Sequence, residues 1–511
     1  MEMKVVRESV EVERLIAASE EQAVVEGEVA LPGSMRDAAR ILHTDAQIII
    51  GDVETQVDRL AMDGQVVFHV LYTQGDPKRV QTLEAACDFS HQMEMQEVSP
   101  RMQARLLGDV LEAQAHASGG RLLLRAVVAL TAQVLSAAPV NVVRDLAGLD
   151  SLRVRSESVT LSRTVGEGVA EALLREEYEL PTALNVAETL YASARPQVGE
   201  VVGGEGRAMV SGTVLLDVYH ASGLEDVPLV VTHHTIEYEQ PVDLHGASGQ
   251  ALQAVSRVRD VMVNSMEVGD GGRVLRVEVV LGTQVIATQQ ETQTLLADAY
   301  TLCGDDAFLD KQPMDLHVHN AYAVARESGK LILQLPEKSP PIGTVLAAFL
   351  HPTIAGRERI GGRITVEGVL GVTVLYLPQE SGEPTSAQKE EAFSLTFPCN
   401  IPQSATLQIV PLEVEAVGIT SDRVEIRYMM QLTGTACITR RMDLVIDAHM
   451  QPAAAQTGGV VLYYAQPDES LWDVARRYRV DVDGLAKLNP GLEQPRGDRA
   501  ILIYQRDGAG Q

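Results

Sequence analysis

Apolar and polar residues alternate along most of this chain with a period of two. LRVRSESVTLSR (152–163) and VEIRYMMQL (424–432) are clear examples, and this is the pattern of strands with one face buried. Glycine-containing turns such as YTQGD (72–76), ASGG (117–120) and VGDGG (268–272) interrupt the runs. SMRDAARILH (34–43) and ALNVAETLYA (183–192) carry a helical pattern instead. The corresponding third stretch, KSPPIGTVLAAF (338–349), places Pro340 and Pro341 where a helix interior would be. The pattern therefore predicts a mainly β chain with at most a short helical turn at these points.

The pattern also repeats. Leucine-proline pairs stand at Leu31-Pro32, Leu180-Pro181 and Leu335-Pro336, separated by 149 and 155 residues, about one domain length. Each is followed by an Arg-x4-Gly step (Arg59 to Gly64, Arg207 to Gly212, Arg363 to Gly368) and an apolar run reaching Tyr72, Tyr219 or Tyr376. Further on, a turn and an arginine (Arg121, Arg273, Arg423) open another strand pair. Ordered landmarks in three copies predict a triplication with units at 1–150, 151–308 and 309–450, each a small β-sandwich or pair of stacked sheets. A structural role at the start of a strand is the expectation for Arg59, Arg207 and Arg363.

After Asp447 the composition changes. QPAAAQTGG (451–459) reads as a linker, and 460–511 form a separate module carrying 7 basic and 8 acidic residues. It contains Trp472, the sole tryptophan of the chain, while the net charge of −28 lies almost wholly in the preceding part. That acidity argues against nucleic acid or an anionic membrane as partner. No apolar run is long enough to span a bilayer, and the first residues lack the apolar core of a signal peptide, so a cytoplasmic location is expected. Cys87, Cys303, Cys399 and Cys437 are scattered and read as free thiols.

The tail, VLYYAQPDESLWDVARRYRVDVDGLAKLNPGLEQPRGDRAILIY, resembles a LysM domain. Tyr463 falls in the first strand, Ser470-Leu471-Trp472 open the first helix, Leu488-Asn489-Pro490 end the second, and Ala500 to Tyr504 form the last strand. The resemblance implies a βααβ fold. Asp468 or Ser470 can cap the first helix, and Leu471, Val474, Ala475 and Tyr478 share one face of it. Asp468 and Glu469 stand where glycan-binding members carry Gly-Asp, so protein binding is expected in preference to sugar. The partner-binding candidates are Tyr463, Asp468, Ser470, Leu471, Trp472, Arg476, Asn489 and Pro490. Two roles are open to Trp472, covering the core of the module or anchoring a partner. Arg476, Arg477 and Arg479 suit docking on an acidic surface.

Repeats of this form ahead of a LysM module are similar to the SPOCS-domain spore-coat morphogenetic family. The resemblance implies three SPOCS-like units, a role in coat assembly at the forespore surface within the mother cell, and recruitment of a coat-scaffold ATPase of the SpoIVA type through the LysM module. Other coat proteins are implied as further partners, and peptidoglycan or N-acetylglucosamine binding is the alternative reading.

No motif for catalysis, cofactor or metal emerges. His317 and His319 sit in a strand whose counterparts are read as Glu11 and Glu13, then Thr160 and Ser162, which predicts both histidines on the solvent face. His233 and His234, being adjacent, point to opposite faces. The glycine runs at 203–206 and 269–272 lack the lysine and helix of a phosphate loop.

Overall fold

The computed structural model describes residues 3–31, 39–224, 226–244, 251–269, 272–453, 458–466, 469–490 and 500–505. Among the described residues eighteen strands precede the tail, and their pairing follows one scheme three times. The first set holds β1 (Lys4–Ala30), β2 (Arg40–Gln56), β3 (Arg59–Gln74), β4 (Asp76–Glu94), β5 (Gln103–Ser118) and β6 (Arg121–Ala147). The second holds β7 (Leu152–Leu180), β8 (Val186–Gly204), β9 (Arg207–Ser222), β10 (Leu229–Asp243), β11 (Ala251–Val268) and β12 (Gly272–Thr301). The third holds β13 (Asp306–Gln334), β14 (Ile342–Ile360), β15 (Arg363–Pro378), β16 (Thr385–Phe397), β17 (Thr406–Thr420) and β18 (Arg423–Gln451). In every set the long first strand pairs antiparallel with the sixth, the sixth with the fifth, and strands two to four form a second sheet. A single pairing, Arg14 with Leu316, joins β1 to β13.

Each set encloses its own core. Leu31, Leu180 and Leu335 are buried in the three cores in turn, which gives the leucine of each Leu-Pro pair its packing role. Pro32 lies outside the described residues, as do 34–38 of the first helical-looking stretch; in the second set Thr182–Leu184 makes one 3-10 turn. The second and third sets divide at 302–305, between β12 and β13, so the third begins at Asp306.

The Arg-x4-Gly step has a steric cause. Gly64, Gly212 and Gly368 lie directly opposite Phe89, Tyr238 and Phe393 on the neighbouring strand. A Cβ there would stand 2.5, 2.1 and 2.0 Å from the carbonyl oxygens of Ile49, Gln197 and Thr353. The strand on the other side carries a bulge at the same level in each set. Glycine lets the sheet bend sharply, and the aromatic ring covers the gap it leaves. The arginines open β3, β9 and β15. Register corrects one landmark. Tyr72 and Tyr376 are matched in the second set by His220, while Tyr219 occupies the place of Leu71 and Leu375.

The three sets close head to tail. β4 meets β8 and β9, β10 meets β14, and β16 meets β2, so the last contact returns to the first set and the ring closes. Around the resulting axis, Val10, Val159 and Met314, then Val12, Leu161 and Leu316, then Val142, Leu295 and Leu444 form one shared apolar core.

The tail is a small βααβ element: β19 (Gly459–Tyr464) pairs antiparallel with β20 (Ala500–Gln505), and α1 (Leu471–Tyr478) and α2 (Val482–Leu488) lie between them. Ser470 caps α1 through a capping box with Asp473. Leu471, Val474, Ala475 and Tyr478 all face its core. Residues 454–457 of the expected linker and Asp468 lie outside the described residues.

Candidate functional site

Closure of the ring leaves a cavity of about 1170 Å³ on its axis, lined from all three sets. Three matched side chains stitch its wall. Gln47, Arg195 and His351 occupy the same register position of β2, β8 and β14, opposite Val67, Leu215 and Gly371. Gln47 Nε2 donates to the Val258 carbonyl at 2.7 Å, Arg195 Nη2 to that of Leu412 at 3.1 Å, and His351 Nε2 to that of Leu111 at 2.9 Å. Each acceptor lies at the bulge of the adjoining set, between Val258 and Asp260, Pro411 and Glu413, or Val110 and Glu112. A bulge leaves a carbonyl unpaired in the ladder, and the next set uses it. Sequence inspection missed these residues because glutamine, arginine and histidine share no motif; only the register brings them into line.

Below the cavity, the histidine expectation needs correcting. His319 is exposed, but His317 is buried (1%) beside Glu13 (3%). Val318 bulges from β13 opposite β18, which shifts the alternation and turns both Leu316 and His317 inward. The match is with Glu13 and Ser162, two residues from the expected alignment; the Leu-Pro spacings, applied without gaps, already give this. His317 Nδ1 lies 3.7 Å from Glu13 Oε2, and the Thr164 N–H and hydroxyl donate to the same carboxylate at 2.5 and 3.1 Å. Burial opposes charge on the imidazole, but Cys437 and Glu13 outweigh it and raise His317 to about 9. Burial likewise opposes the Glu13 carboxylate, and His317, Thr164 and Arg105 together hold it below the ordinary range. All four cysteines are free thiols.

The tail packs on the second set. Trp472 Nε1 donates to Asp298 Oδ2 at 2.7 Å, and Arg476 Nη1 approaches Asp298 Oδ1 at 2.8 Å. Tyr300, fully buried, enters the core of the module, stacks edge-on to Trp472, and donates to the Val480 carbonyl at 2.6 Å. Arg479, in the left-handed conformation that ends α1, grips the Thr301 carbonyl and hydroxyl and the Gly304 carbonyl. Arg153 pairs with Asp481 at 2.5 Å.

The partner-binding candidates therefore separate. Trp472 packs against the core of the module, the first of the two roles open to it, and with Arg476 it also engages Asp298 of its own chain, so the separate module is tied to the second set. Ser470 caps its helix, Leu471 packs in the core, and Asn489 bonds Leu485 and both backbone groups of Leu502, tying α2 to β20. Tyr463 donates to Glu469 at 2.8 Å and accepts from Arg477. Pro490 is exposed. Among the described residues, the outer side of the two-stranded sheet presents an open apolar face: Val460, Leu462, Tyr464, Leu502 and Tyr504, all exposed.

Residues 37–117, spanning β2 to β5, match the family model described as SipL, SPOCS domain. The chain carries a SipL-type SPOCS domain. No curated protein and no solved structure matches the chain. The matched stretch contains the first Arg-x4-Gly step, the Gln47 stitch and the Leu111 acceptor of the ring. Among the described residues no helix is long and apolar enough to cross a membrane.

Proposed function

We propose that this SPOCS-domain chain is a non-enzymatic assembly protein of the spore coat, acting at the forespore surface in the mother cell. On this reading its three strand sets are copies of one SPOCS-like unit, and its tail is a LysM module that recruits a coat-scaffold ATPase. The observation that carries the reading is the SPOCS match over 37–117, extended by the strand scheme that the second and third sets share with the matched one. The βααβ order of the tail supports the LysM assignment. Its open apolar sheet face, Val460, Leu462, Tyr464, Leu502 and Tyr504, supports protein binding, since contiguous exposed apolar area is what partners cover.

The test is a titration of the full chain against the scaffold ATPase and, separately, against N-acetylglucosamine oligomers. Binding to the ATPase that is lost in Leu462→Asp and retained in an Asp at exposed Val169 supports the proposal. Sugar binding without ATPase binding overturns it in favour of a glycan-binding protein.

A further inference from the structure

The cavity on the ring axis carries cations that the fold does not use. Arg257 and Arg259 both line it from β11, and Arg326 lines it from β13. Among the described residues Arg257 has neither a carboxylate within ion-pair distance nor a hydrogen bond. Arg326 is held by neutral amides, Gln431 Oε1 at 3.1 Å and Gln197 Oε1. Arg259 donates to the Ile50 carbonyl at 2.9 Å and lies 3.9 Å from Glu171. Arg257, Arg259 and Arg326 are all exposed to the water of the lumen, and among the described residues no carboxylate offsets the charge of Arg257. The lumen also holds carboxylates: Asp217 is bonded by Arg195 and His233, Glu112 lies 3.6 Å from Arg125, and Asp45 and Glu390 line it from the first and third sets. Burial raises the Asp109 carboxyl toward neutrality. In a chain with 70 acidic and 42 basic residues, carboxylates to pair these arginines are plentiful, yet none is placed beside Arg257 or Arg326.

We propose that the lumen binds a small multivalent oxyanion, a phosphate- or carboxylate-bearing molecule, between Arg257 and Arg259 of the second set and Arg326 of the third. Guanidinium groups present paired N–H donors in the geometry of such oxygens. The cavity excludes part of the bulk water that would screen them, and its volume is of the order of known small-molecule sites.

The full chain is titrated calorimetrically with pyrophosphate and with citrate, ionic strength being held constant with sodium chloride, and its thermal midpoint is read in parallel. Saturable binding of one anion per chain is expected, weakened about tenfold or more in Arg257→Gln and Arg326→Gln. Arg207→Gln, whose partner Asp243 lies outside the lumen, should bind as the parent does. The anion that binds names the chemistry, phosphate or carboxylate. Without ligand, Arg257→Gln should be at least as stable as the parent, because the charge it removes has no partner. Binding of neither anion above the chloride control overturns the proposal. So does unchanged binding in both lumen variants, or a ligand-free Arg257→Gln that melts earlier than the parent.

Discussion

Replacing His317 with glutamine should change how stability depends on pH. In the folded protein His317 titrates near 9, against 6.5 for an unperturbed imidazole. The folded state therefore binds one proton more than the unfolded chain between those values, and stability falls as pH rises through this window. At about 1.4 kcal/mol per unit, the loss attributable to His317 is on the order of 3 kcal/mol. It is fully present as stabilisation below pH about 6.5 and gone above about 9. Burial is nearly complete (1%), so solvent does not dilute the effect. Chemical denaturation at pH 6, 7, 8, 9 and 9.5, with parent and His317→Gln side by side, isolates it. The parent should lose on the order of 3 kcal/mol more than the variant across the series. At pH 6 the variant should already be weaker by roughly 3 kcal/mol, because Glu13 keeps its buried charge without its cation. Parallel curves for the two proteins would refute the ion pair and the reasoning built on it.

Three further expectations follow from other parts of the molecule. Asp298→Ala should free the indole of Trp472 from its acceptor; since this is the sole tryptophan, a red shift in emission reads module release directly, and an unshifted spectrum would mean that docking does not depend on Asp298. Gly212→Ala places a Cβ 2.1 Å from the Gln197 carbonyl and should cost roughly 2–4 kcal/mol by denaturant unfolding, whereas Gly119→Ala meets open space and should cost about 1 kcal/mol or less, from its positive φ alone. His43 and His220 are held neutral by burial, each lowered to about 4; their contribution is present above about 6.5 and is lost as pH falls through 4, so His43→Phe should flatten the acid limb of the stability profile.

The fold was legible where a physical demand leaves a one-dimensional mark. Alternation reported strands because each sheet has one buried face, and the Arg-x4-Gly step was visible because only glycine fits beneath Phe89, Tyr238 and Phe393. The capping box at Ser470 was readable for the same reason. The ring, the lumen and its stitches were not, since Gln47, Arg195 and His351 do the same work with unlike chemistry. The inward turn of His317 depends on a one-residue bulge at Val318, and a period-two reading carried past a bulge inverts every side chain beyond it. Docking of the tail was hidden because it rests on Asp298 and Tyr300, which belong to β12 and carry no local signal.

A ring made by three separate chains would offer three identical seats and fill them all. Here the seats are covalently ordered and have diverged. Asp145 and Asp447 sit at the strand-end positions that Asp298 occupies in the second set, but Ala147 and His449 stand where Tyr300 does, and the module sits only at Tyr300. The stoichiometry is therefore one module per ring, displaced from the axis. Under the proposed assembly role, such a particle would be directional: however regular its body, it would offer its tail from one side of the ring only.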